Sequence, residues 1–139
     1  MFGGWKVTFD QTIPSQNHLQ RGMRNYHIYA KFKRLWCLLL AEAMQAHRIP
    51  AAVGRRRVMF TRTIPTGRAT YDLANMIGGL KPVVDAMQDV GLLKNDSPAW
   101  FEGHYRQVVD KERPPQLTML IEELTNSAAA PRTVVVPAQ

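Results

Sequence analysis

Apolar and polar positions alternate at the start of the chain, where Trp5, Val7 and Phe9 interleave with Lys6, Thr8 and Asp10. A period of two is that of a strand with one buried face. Pro14-Ser15-Gln16-Asn17 breaks it. From about Arg24 to Ala46 the period changes: Ile28, Phe32, Leu35, Trp36, Leu39, Leu40 and Ala43 fall in one sector of a helical wheel, which predicts a core-facing helix. Ile49-Pro50 ends it, and the β-branched and aromatic run from Val58 to Ile64 predicts a second strand. Leu73, Met76, Leu80, Val83, Val84, Met87 and Val90 then recur at helical spacing. Pro82 interrupts that run, so it either occupies a first turn or imposes a kink. Gly91 is a natural stop. Two strand-like runs, His104 to Asp110 and Leu117 to Glu123, flank Lys111-Glu112-Arg113-Pro114-Pro115, a connection suited to an antiparallel hairpin.

The resulting order, β-α-β-α-β-β, is that of a small α+β domain of α/β type, with a mixed sheet packed on two helices. At 139 residues one domain is expected, over residues 1–124. Beyond Leu124 no usable period remains, which predicts a flexible tail over residues 125–139. The densest apolar run, Leu35 to Ala43, falls well short of the ~20 residues of a membrane span. With no signal-like stretch at the start, no membrane contact and a cytoplasmic location are expected. The single Cys37 excludes an intrachain disulfide and a multi-cysteine zinc site.

Charge changes the picture, because it is unevenly placed. Residues 1 to 71 carry twelve Lys and Arg against only Asp10 and Glu42, whereas residues 72 to 139 carry six bases against nine acids. A surface as basic as the first half attracts a polyanion, and nucleic acid is the usual one. Arg24, His27, Lys31 and Arg34 form a stripe beside the apolar sector of the first helix, and Arg55-Arg56-Arg57 precedes the second strand. On its own, such a stripe is usually a solvated face and names no partner.

Motifs for nucleotide phosphates, zinc hydrolases and serine hydrolases are absent, so no small-molecule cofactor is expected. The acids concentrate in one stretch, as Asp72, Asp85, Asp89 and Asp96 with Lys81 among them. Carboxylates gathered in a basic protein suit a hard cation such as Mg²⁺. A Lys81–Asp85 helix pair beside unrelated capping acids accounts for the same residues.

The run Tyr71-Asp72-Leu73-Ala74-Asn75-Met76-Ile77-Gly78-Gly79-Leu80-Lys81-Pro82-Val83-Val84-Asp85-Ala86-Met87, with Gly91-Leu92-Leu93 and Asn95-Asp96-Ser97-Pro98 after it, resembles the signature of the RusA-like Holliday junction resolvases. That signature is approximately D-x-D-N-L, then K-P-x-x-D-A-L, then G-x-[IL]-x-D-D-S. Pro14 to Asn17 and Lys31-Phe32-Lys33-Arg34-Leu35-Trp36 also look like that family's opening, so the similarity covers roughly residues 5 to 124.

The resemblance implies a Mg²⁺-dependent endodeoxyribonuclease that resolves four-way DNA junctions by paired nicks during recombination and repair, acting as a homodimer. It matches Asp72 and Asp96 to catalytic, metal-binding aspartates and Lys81 to the essential lysine, with Asn75, Asp85 and Asn95 in supporting places. In such a site the metal polarises the phosphate and activates water, while the lysine stabilises charge on the phosphoryl oxygens. Arg24, Lys31, Lys33, Arg34, Arg55, Arg56 and Arg57 would grip the remaining phosphates. Two positions depart from the pattern. Ala74 stands where a second metal-binding aspartate is expected, and Asn95 replaces the first member of an acidic pair. A degenerate homologue and an engineered Asp→Ala change both account for Ala74. A non-catalytic binder of branched DNA and a small basic RNA-binding protein are the competing readings.

Overall fold

A computed structural model of the chain describes residues 4–19 and 25–124. Its strands are β1 (Gly4–Phe9), β2 (Arg56–Ile64), β3 (Phe101–Val109) and β4 (Gln116–Glu123). Its helices are α1 (Gln16–Leu19), α2 (Asn25–His47), α3 (Leu73–Gly79) and α4 (Lys81–Asp89), in the order β1-α1-α2-β2-α3-α4-β3-β4. A 3-10 turn, Gly67–Ala69, lies between β2 and α3. The fold is therefore mixed α+β; the expected tail over residues 125–139 lies outside the described residues.

The sheet has four strands in the order β1-β4-β2-β3. β4 runs antiparallel to both β1 and β2, and β3 runs parallel to β2. The hairpin expected between the last two strands is thus corrected. β3 and β4 lie on opposite sides of β2, and the Pro114-Pro115 connection carries the chain past its end. Residues 60 to 64 of β2 are all buried. Such a strand needs a partner on each edge to satisfy its backbone groups.

One face of the sheet presents Val7, Val58, Phe60, Leu117, Met119 and Ile121 to Trp36 and Leu40 of α2 and to Val83, Ala86 and Met87 of α4. Trp36 stands edge-on to Phe9 with ring centroids 5.0 Å apart, and Phe60 stacks on Tyr105 at 5.5 Å. The other face is polar: Thr8 and Thr118 share a hydrogen bond of 3.0 Å, and the Arg106 guanidinium donates to Thr61.

The single helix expected from Leu73 to Val90 is two. The Leu80 N–H donates to the carbonyls of Met76 and Ile77 and closes α3, after which α4 starts with Pro82 in its first turn. A missing N–H costs nothing there. Gly79 has a separate reason: a Cβ at that position would collide with the Pro14 carbonyl oxygen. Pro14 to Asn17, read as a plain break, starts α1 instead, with the Ser15 hydroxyl accepting the His18 N–H at 3.1 Å. Gly91 does end its helix region, at a φ of 86° that favours glycine. Among the described residues no helix is long and apolar enough to cross a membrane.

Candidate functional site

The segment that carries Asp72 leaves β2 and is held by a buried arginine. Arg62 shares the inward phase of Val58 and Phe60 and is 4% exposed. Its Nη1 donates to the Ala69 carbonyl at 2.8 Å and to Gln107 Oε1 at 2.6 Å, and its guanidinium lies 3.6 Å over the Tyr71 ring. Gln107 in turn accepts the Tyr71 N–H and donates to the Tyr71 carbonyl. The Tyr71 hydroxyl donates to Ile13. Arg62 has no carboxylate partner among the described residues, and burial lowers its pKa against the opposing pull of Tyr71. A buried charge that holds Ala69 directly and Tyr71 through Gln107 fixes where Asp72 emerges.

Asp72 caps α3: its Oδ1 accepts the Asn75 N–H at 2.8 Å. Asp72 and Ala74 are exposed in that first turn, and Asn75 is half-buried. Lys81 begins α4, at the opposite end of α3, whose seven residues rise about 10 Å. Asp72 and Lys81 therefore stand at opposite ends of α3.

What comes together is a second group. Lys81 Nζ pairs with Asp85 at 3.5 Å, and the Tyr29 hydroxyl of α2 donates to the same carboxylate. Burial pushes the Asp85 carboxyl above the ordinary aspartate range, and the charges of Asp96 and Asp89 push it further. Asp96 is exposed in the turn after α4, where the Asn95 side chain accepts the Ser97 N–H at 2.8 Å. No motif spacing marks Tyr29, because its part depends on a contact between residues 56 apart.

The basic residues divide. Arg56 is 1% exposed, donates to the Leu92 and Pro50 carbonyls, and pairs with Glu123 at 2.6 Å, so its expected place on a DNA surface is corrected. It is in phase with Val58, on the buried side of its strand. Arg57 pairs with Glu102 and Glu122, each at 3.0 Å, and Arg55 with Glu102 at 3.3 Å, so both are largely neutralised locally. Lys33 pairs with Asp89 at 2.9 Å, a contact that raises its pKa. Lys31, Arg34, Arg68 and Lys81 are exposed, and of these only Lys81 has an ion pair among the described residues. Arg24 lies outside the described residues.

A hard divalent cation needs several oxygens at one point. Among the described residues no three His, Cys, Asp or Glu side chains stand close enough to share an ion. Asp72 Oδ1 and Asn95 Oδ1 are engaged by backbone N–H groups, and Ala74 offers no ligand. The donor set as it stands does not fit Mg²⁺. The arrangement can instead present one oriented ammonium, at Lys81, between an exposed aspartate on each side along the chain. No family model and no curated protein matches this chain.

Proposed function

We propose that this protein acts on four-way DNA junctions as an endonuclease of the RusA-like type, in which Ala74 and Asn95 stand where the resemblance expects carboxylates. The observation that carries the reading is Lys81. It is 65% exposed on one side, oriented by Asp85 on the other, and within a stretch that also supplies Asp96 and, across α3, Asp72. An ammonium fixed in this way is suited to the charge of a phosphoryl oxygen. The surplus of bases in residues 1 to 71 supports attraction to the phosphate backbone, with Lys31 and Arg68 among the exposed cations.

Ala74 favours one narrower version, in which the chain binds junctions and does not cut them. Its exposed methyl group, next to a Leu73 that is 60% exposed, makes the first turn of α3 apolar where a cation would need oxygen.

The test is a synthetic four-way junction offered to the wild-type chain and to Ala74→Asp with Mg²⁺. Tighter binding to the junction than to linear duplex is expected from both, with symmetric nicking gained or strongly enhanced in Ala74→Asp. Equal affinity for duplex and junction would remove the branch preference. Tighter binding to structured RNA would replace DNA as the target. An Ala74→Asp chain that leaves junctions intact and binds Mg²⁺ no better would remove the nuclease.

A further inference from the structure

The outward side of α2 carries one unbroken ridge at four-residue spacing: Ala30, Arg34, Leu38, Glu42 and Ala46. Residues four apart form such a ridge on any α-helix, and ridges of this kind interdigitate when two helices cross. Leu38, at its centre, is 72% exposed, an uncommon place for a leucine on a helix whose other face is fully employed in the core. Arg34 and Glu42 are both exposed, and neither has an ion-pair partner among the described residues. They stand eight positions apart, about 12 Å along the axis, too far to pair with each other.

The order of chemistry along the ridge is small, positive, apolar, negative, small. It is reversed in charge about Leu38. We infer that this ridge is the surface on which a second copy of the chain docks, with the two α2 helices antiparallel and a two-fold axis at Leu38. That symmetry sets Leu38 on its own counterpart and Arg34 opposite Glu42 of the partner twice over. A two-fold interface must be self-complementary, and this ridge meets that requirement without any other element. Beside it, a groove of about 550 Å³ is lined by Tyr26, Ala30, Arg34, Cys37 and Leu38 of α2 and by Asp89 of α4.

The inference rests on the paired assembly that a junction-resolving reading calls for, and adds the surface. It assigns Arg34 to the partner rather than to DNA. The helix face projects roughly 340 Å² (about 34 Å by 10 Å), below the ~800 Å² per partner of a standard stable interface. The dimer therefore dissociates on dilution.

Sedimentation equilibrium on the whole chain, at concentrations up to roughly 1 mM, the range of weak complexes, tests it. Wild type is expected to dimerise reversibly. Arg34→Glu alone sets two acids against each other at both contacts, and Glu42→Arg alone sets two bases. Each is expected to weaken the dimer by roughly tenfold or more. An equimolar mixture of the two variants, and the Arg34→Glu/Glu42→Arg double variant, restore opposite charges at both contacts and are expected to dimerise as wild type does. These positions are exposed, and circular dichroism checks that the fold is kept. Independently, Leu38→Cys in a Cys37→Ser background should be joined into dimers by a short bis-maleimide, whereas Lys6→Cys in that background should not. A wild-type chain that stays monomeric, or a dimer indifferent to all the charge changes, overturns the inference. In the second case the junction reading is untouched; a charge-dependent dimer that ignores DNA junctions has the opposite meaning.

Discussion

The Tyr29 hydroxyl on α2 donates to the Asp85 carboxylate on α4, tying together two helices whose sequences are 56 residues apart at this point. The same carboxylate holds Lys81, so the helix that supplies the candidate ammonium is anchored through a group that is itself two-thirds removed from water or more.

That position gives Asp85 a pH signature. Burial raises its pKa in the folded protein, with Asp96 and Asp89 adding to the shift, so the folded state binds the proton more tightly than the unfolded chain does. Stability then falls as pH rises from the ordinary aspartate range through the raised value. Asp85→Asn, which can still accept from Tyr29, is expected to be at least as stable as wild type at pH 7 and to lose that advantage in acid below the ordinary range. Urea denaturation at both pH values measures it; a variant markedly less stable at neutral pH contradicts the account.

Arg56 is expected to behave as a core residue. Its guanidinium joins the Pro50 and Leu92 carbonyls to Glu123, and truncation strands those acceptors. Glu123 is 43% exposed and regains water, so Arg56→Ala should cost about 2–3 kcal/mol, below the loss for a fully buried pair. The salt dependence of DNA binding should be unchanged. Arg68→Ala, on the exposed 3-10 turn, should do the reverse: no measurable loss of stability, and a salt slope smaller by about 1. Chemical denaturation and binding titrations at several salt concentrations separate the two; a flattened slope in Arg56→Ala would return that residue to the DNA surface.

Asp72 is both helix cap and candidate ligand, and two substitutions distinguish the roles. Asparagine caps a helix as well as aspartate does, whereas alanine forfeits the bond to the Asn75 N–H at a cost of about 1 kcal/mol. In an Ala74→Asp background, Asp72→Asn should keep full stability and junction affinity while abolishing cleavage, because a carboxylate that acts through a metal matters chiefly in the transition state. Cleavage that survives Asp72→Asn would leave Asp72 with capping alone.

Local pattern carried most of the elements and little of their pairing. β1 and α2 lie where alternation and helical spacing place them, because each has one face in the core, and β2 and β4 lie where the β-branched and strand-like runs place them. The strand order escaped it. A linker of Lys111 to Pro115 fits a hairpin as readily as a passage around β2, and only the need of β2 for two neighbours decides between them. The run Arg55-Arg56-Arg57 looked uniform as a charge patch. Counting back by twos from Val58 puts Arg56 inside, so the signal was present, in the period rather than in the residue type. Within the candidate site, Asp72 as a cap and Lys81 with Asp85 four residues later were legible as helix-local features. Tyr29 and Gln107 were not, since their partners lie 36 or more residues away, and the pairing of Arg62 with Gln107 depends on which strands are adjacent.

The place of β4 has a consequence for how the chain comes into being. Among the described strands β1 pairs with β4 alone, and β4 fills the gap between β1 and β2, so the first strand made is the last to find its neighbour. Until Gln116–Glu123 has emerged from the ribosome, Val7 and Phe9 have no sheet to join, and the β2 edge that will receive β4 is bare. Because contacts so distant in sequence are slow to form, the nascent chain exposes a sticky edge from the completion of β2 until β4 is made. Any stop codon before Gln116 yields a polypeptide that cannot bury it.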